Sequence, residues 1–135
     1  MPHPLAILVV DDDADTGDSL AEMLALHGHA VRVARDAAGA LRLAADEPPD
    51  VVLLDILMPG TDGCEAALVL RERAGAKRPF LIAVTGCESA ADRARTAAAG
   101  FDLHLVKPVA PAILVGLLER FRRLLAPPLP ATPDC

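Results

Sequence analysis

The chain of 135 residues carries Asp+Glu 19 against Lys+Arg 13 for a formal net charge of -6, and its pI of about 5.0 is opposite to the basic footprint of a nucleic-acid binder. The hydrophobic fraction is 53%, yet every apolar run is short and cut by charges, Gly or Pro, whereas a bilayer span needs about 20 apolar residues; no cleavable small-residue site follows the first run, so a cytoplasmic chain of one domain is the expectation. Three cysteines, Cys64, Cys87 and Cys135, lack the close spacing of a zinc or redox motif and read as free thiols.

Along the chain, short β-prone runs alternate with Ala- and Leu-rich segments of helical period, a pattern that predicts a parallel sheet with helices on both faces. The first strand, residues 5–10, runs into Asp11-Asp12-Asp13, where Asp13 can cap a helix reaching about His27, with Gly28 as a left-handed stop. A second strand spans residues 30–34, and Asp36 caps a helix that ends before Pro48-Pro49. The third strand, residues 51–54, is followed directly by Asp55, and Asp62 can cap the next helix. The fourth strand, residues 80–84, leads to Thr85-Gly86, and Ser89-Ala90-Ala91-Asp92 has capping-box spacing for a fourth helix. The fifth strand, residues 103–106, ends at Lys107-Pro108. Pro111 suits the first turn of a last helix, whose Ile113, Leu114, Leu117, Leu118, Phe121, Leu124 and Leu125 form an apolar stripe expected in the core. Residues 126–135, opening on Pro127-Pro128-Leu129-Pro130, read as a tail or linker stub beyond a domain of residues 1–125.

In an open parallel α/β sheet, ligands bind at the carboxyl ends of the strands near the reversal of strand order. Asp11, Asp12, Asp55, Thr85 and Lys107 all fall at such ends. Carboxylates about 5 Å apart repel by ~3 kcal/mol per pair at an effective dielectric of about 20, a conflict that a divalent cation removes. Oxygen-only ligation suits magnesium, and no His or Cys stands at these strand ends to favour zinc. A carboxylate beside such a cation can attack a phosphoryl group and form an acyl phosphate, with Thr85 and Lys107 available to the transferred oxygens.

Four blocks, Val9-Val10-Asp11-Asp12, Asp55-Ile56-Leu57-Met58-Pro59-Gly60-Thr61-Asp62-Gly63, Val84-Thr85-Gly86 and Val106-Lys107-Pro108, closely resemble the signature of response regulator receiver domains in two-component signalling. The resemblance covers roughly residues 5–125. It implies a flavodoxin-like, doubly wound, five-stranded parallel sheet of order 2-1-3-4-5 with five helices. It further implies phosphorylation of Asp55 by a phosphohistidine on a sensor histidine kinase or histidine phosphotransfer protein. Magnesium, for which manganese can substitute, would be held by Asp12, Asp55 and the backbone carbonyl of Leu57, with Asp11 acting through water. A cis peptide between Lys107 and Pro108 is implied as well, as is a switch in which Thr85 moves inward and the side chain three residues before the lysine follows. That place holds His104, where the family mostly has Phe or Tyr; an exposed strand-edge histidine without such a role is the alternative. Catalysis beyond self-catalysed phosphotransfer and dephosphorylation, nucleic-acid binding and membrane binding are not expected, and the chain would be a monomer or weak homodimer.

Other readings use the same residues. Asp11, Asp13, Asp15, Ser19 and Glu22 match EF-hand ligand positions, but Thr16 stands where the sharp-turn glycine belongs and a strand precedes the segment. A dinucleotide fold would need a Gly-rich turn in place of the first aspartates. An aspartyl phosphohydrolase would need a substrate-selecting cap, and an unphosphorylated interaction module would not need the whole Asp12, Asp55, Thr85 and Lys107 set. The output is open between a single-domain regulator and the receiver of a hybrid kinase, which residues 104–109 resemble.

Overall fold

The computed structural model describes residues 4–58, 61–75, 77–86 and 89–125. In chain order the elements are β1 (Ala6–Val10), α1 (Ala14–Leu26), β2 (Ala30–Ala34), α2 (Ala37–Asp46), β3 (Val51–Asp55), β4 (Leu57–Met58), β5 (Thr61–Asp62), α3 (Gly63–Glu72), β6 (Phe80–Thr85), α4 (Ala90–Ala98), β7 (Leu103–Val106) and α5 (Pro111–Leu125). The main sheet has the order β2-β1-β3-β6-β7 with every neighbour parallel. This is the expected 2-1-3-4-5 order once the small antiparallel β4–β5 ladder, which the sequence reading did not anticipate, is set aside. Among the described residues no helix is long and apolar enough to cross a membrane.

Burial on both faces explains why the central strands read as unbroken apolar runs. Every residue of β3 is buried. Alternate residues of the strands feed two cores: Val9, Leu53 and Ile82 meet α1 and α5 through Leu24, Leu114 and Leu118. Leu8, Leu54 and Leu81 meet α2 and α3 through Ala40, Ala67 and Leu70. A smaller cluster of Ile56, Cys64, Ala83 and Ala99 lies toward α4.

Local chemistry sets the ends. The Asp13 side chain accepts from the Asp15 N–H at 3.1 Å and that of Asp36 from the Gly39 N–H at 2.7 Å, so both act as the N-caps expected of them. α1 stops at His27, followed by Gly28 at φ 89, a left-handed conformation that glycine adopts without a steric penalty. The side chains of Asp62 and Asp92, on which their helix-cap roles rest, and everything expected of Pro59, Gly60, Cys87 and residues 126–135 lie outside what the structure describes.

Some expectations need correction. The first strand begins at Ala6, since the Leu5 N–H turns to His29 Nδ1 at 3.3 Å. The third and fourth expected strands each gain one residue, taking in Asp55 and Thr85. In α5, Leu114 and Leu118 are fully buried, but Ile113 and Leu124 are 62% and 82% exposed, so the stripe is only partly core.

Candidate functional site

Three parallel strands deliver acids and an amine to one end of the sheet. Asp11 follows β1, Asp55 is the last residue of β3, and Lys107 follows β7. Val9 and Leu53, two residues before the first pair, face the α1–α5 core, and residues two apart on a strand share a face. The Asp11 N–H continues the sheet pattern by donating to the Ala34 carbonyl at 3.0 Å, and the Ile56 N–H donates to the Val84 carbonyl at 3.1 Å. The positions are thus held by backbone bonds on both sides.

The carboxylates of Asp11, Asp12 and Asp55 each offer an oxygen, and these lie within 4.8 Å of one another. Asp11 and Asp55 are both 5% exposed, whereas Asp12 faces solvent. Lys107 Nζ donates to Asp55 Oδ2 at 3.0 Å and reaches Asp11 Oδ2 at 3.5 Å. Asp11 Oδ1 also accepts the Asp13 N–H at 2.9 Å. Burial raises the Asp11 carboxyl above its usual range and the Asp55 charge adds to this, against the Asp13 N–H and Lys107, which pull it down. Burial pulls the Lys107 ammonium down, but its bonds to Asp55 and the charges of Asp55 and Asp11 outweigh this and leave it raised. The ammonium is therefore charged at neutral pH and stands against a cluster of three carboxyl groups.

That donor set fits one hard divalent cation. Among the described residues the candidate ligand atoms are all carboxylate oxygens and one of these carboxylates is open to water, which suits magnesium, an ion that retains waters when it binds. Beside the cluster, a groove of about 530 Å³ runs between α1 and the loop before α5, lined among others by Thr16, Leu20, Met23, Asp55, Lys107 and Pro108.

Thr85, 3% exposed, ends β6, and its carbonyl accepts the Lys107 N–H at 2.8 Å. The Lys107–Pro108 peptide is cis. His104 is not the exposed strand-edge histidine of the alternative reading: although β7 is an edge strand, the residue is partly buried, and its Nδ1 lies 3.2 Å from Thr96 Oγ1 of α4. The backbone of Leu57 pairs with Asp62 in the β4–β5 ladder, just beyond Asp55. Asp15, Ser19 and Glu22 lie on α1, so they cannot close with Asp11 and Asp13 around one ion as an EF-hand loop would.

Two residues of the site carried no role in the sequence reading. Gly63 opens α3 where a Cβ would come 2.7 Å from Ile56 Cα and 3.1 Å from the Asp55 carbonyl oxygen, so only glycine lets the helix start this close to the Asp55 strand end. Its place next to Asp62 was visible, but the close approach was not. Thr96 stands in an Ala-rich helix, and nothing in its spacing points to His104.

The family model for the response regulator receiver domain matches residues 7–119. Response regulator MprA of Mycobacterium sp. (strain KMS) is 42% identical over 122 residues, 90% of this chain and 51% of the relative. MprA of Mycobacterium bovis (strain BCG / Pasteur 1173P2) is 40% identical over 119 residues, 88% of this chain and 50% of the relative. The chain thus spans about half the length of these curated relatives. Among solved structures, a CheY-like receiver domain protein from Methanospirillum hungatei JF-1 superposes with a TM-score of 0.81 at 29% identity, covering 90% of this chain and 96% of that one. Chemotaxis protein CheY4 of Vibrio cholerae gives 0.82 at 28% identity, covering 88% and 99%.

Proposed function

The chain belongs to the response regulator receiver domain family of two-component signalling, and on that premise we propose that Asp55 accepts a phosphoryl group from a phosphohistidine on a sensor kinase or histidine phosphotransfer protein. The observation that carries this reading is the position of Asp55. Its carboxylate is 5% exposed, bonded to Lys107 at 3.0 Å and within 4.8 Å of the Asp11 and Asp12 oxygens.

In the transfer, an Asp55 oxygen bonds to phosphorus as the phosphorus–nitrogen bond of the donor breaks, and the released imidazole takes up a proton. The acyl phosphate carries about -1.5 to -2 of charge on its phosphoryl oxygens while the Asp55 oxygen that bonds to phosphorus gives up its carboxylate charge, so the site gains about one negative charge or less. Lys107 offsets part of it by moving its ammonium from Asp55 to a phosphoryl oxygen, and Thr85 offers a hydroxyl to another. Asp12, Asp55 and the Leu57 carbonyl would hold magnesium or manganese directly and Asp11 through water; the ion supplies charge neutralisation of the phosphoryl oxygens. Asp11 also helps to hold Lys107, whose Nζ lies 3.5 Å from its Oδ2. Thr85 and His104 form the switch pair that reports the phosphoryl group to a partner surface or an attached domain. Catalysis is confined to the chain's own phosphorylation and dephosphorylation.

Incubation with acetyl phosphate and magnesium tests this. Wild type gains one labile phosphoryl group, Asp55→Asn gains none, and chelation of magnesium prevents labelling of the wild type. Equal labelling of the two proteins would defeat the assignment.

A further inference from the structure

His104 pairs with Ala83 of β6, and Thr85 pairs with Val106 of β7. Residues two apart on a strand share a face. His104 and Thr85 are therefore diagonal neighbours on one face of the sheet, the face toward α4, where Ala83 and Ala99 pack together.

Thr96 meets the imidazole from that helix. It is 3% exposed, and its Oγ1 lies 3.0 Å from the Arg93 carbonyl and 3.2 Å from His104 Nδ1. A carbonyl can only accept, and a hydroxyl has one proton to give. That proton goes to Arg93, which leaves a hydroxyl lone pair facing His104, so Nδ1–H is the donor. This fixes a proton on Nδ1, which for a neutral imidazole is the Nδ1–H tautomer with the lone pair on Nε2. Nε2 is buried and has no hydrogen-bond partner among the described residues. Buried polar atoms rarely go unpaired; here one ring nitrogen is satisfied by Thr96 at the expense of the other.

We propose that Thr96 is a positioning residue that latches His104: by accepting from Nδ1 it holds the ring against α4, and the ring must release Thr96 when phosphorylation rearranges the Thr85 face. The proposal rests on the reading of Thr85 and His104 as a switch pair. A ligand shifts a two-state protein only by its differential affinity for the two states, and a bond made only in the resting state subtracts from that difference.

The test has two arms, both on the full chain. Long-range proton–nitrogen NMR of the imidazoles reads the tautomer: His104 is protonated on Nδ1 in wild type and in Thr96→Ser, and loses that state in Thr96→Val, which keeps the shape without the hydroxyl. An Nε2–H ring in wild type, or an unchanged ring in Thr96→Val, would overturn the latch. The second arm measures binding of beryllium fluoride with magnesium, a mimic of the acyl phosphate, by calorimetry. Thr96→Val binds about 2- to 10-fold tighter than wild type, the span expected for loss of one net hydrogen bond, and Thr96→Ser binds as wild type does. His104→Phe, which removes the bond from the other side and serves if Thr96→Val fails to fold, gains similarly, and Thr96→Val adds nothing in that background. Uptake of the mimic with equal affinity by wild type, Thr96→Val and His104→Phe would overturn the latch alone. No uptake by wild type would overturn the phosphoacceptor reading itself, and the latch with it.

Discussion

Gly63 sets how close a helix can stand to the strand that ends at Asp55. A Cβ there would meet Ile56 Cα at 2.7 Å and the carbonyl oxygens of Asp55 and Ile56 at 3.1 and 3.2 Å, all backbone atoms that cannot swing aside. Gly63→Ala must move either α3 or the Asp55 strand end. A loss of about 1–3 kcal/mol, typical of overpacking, is expected in urea denaturation, together with slower labelling by acetyl phosphate. A variant with wild-type stability and labelling rate would contradict this account of the position. His29 carries a different constraint. It is 7% exposed and its Nδ1 accepts the Leu5 N–H, which a protonated Nδ1 cannot do. Burial lowers the His29 imidazole below its ordinary value of 6.5, helped by Arg122 and His27 and opposed by Glu119. With the folded value below the unfolded one, the unfolded chain binds more protons in the window between them, so stability falls as pH drops below about 6.5 and levels off below the folded value. Thermal melts across this range should show that slope in wild type and a smaller one in His29→Gln; the same slope in both would exclude His29 as its source.

At the scale of an element, α5 shows what a periodic pattern does and does not say. At about 100° per residue, Leu118 and Phe121 stand within about 40° of Leu114, while Leu124 and Ile113 stand about 80° and 100° away on the same side. The sheet covers the centre of that arc and leaves its rim in water. Periodicity therefore identified the face but not its width, and the contrast is measurable. Leu118→Ala should cost about 2–5 kcal/mol, as fully buried leucines do. Leu124→Ala, at 82% exposed, should stay within about 0.5 kcal/mol of wild type. Comparable losses for the two would mean that the C-terminal turn of α5 is covered. The other helix expectations rested on local chemistry, and there the outcome was closer: Asp13 and Asp36 accept the N–H groups expected of caps because such bonds involve only neighbours within one turn.

For the whole molecule, the alternation of strands and helices was legible because both faces of the sheet are covered, which makes each strand a short apolar run ending at a polar residue. Placing Asp11, Asp55, Thr85 and Lys107 at strand ends then followed from chain order alone. Strand order did not; it entered through the resemblance of the four blocks to a known family. Contacts set by the phase of one element against another stayed hidden. The Thr96–His104 bond depends on the rotation of α4 over β7, and the Gly63 contact on the entry of α3 beneath β3. The β4–β5 ladder, two residues on each side, is too short to leave a periodic signal. A net charge of -6 does not favour general attraction of polyanions, so the proposed transfer rests on local chemistry, the Lys107 ammonium beside the Asp11, Asp12 and Asp55 carboxyl groups. The most direct test of that claim is to locate the phosphoryl group by reduction. After incubation with acetyl phosphate and magnesium, borohydride converts an aspartyl phosphate to homoserine, and peptide mass spectrometry reads its position. Homoserine at position 55 and at no other aspartate is the predicted result; homoserine at Asp11, Asp12 or another carboxylate with Asp55 intact would contradict the account.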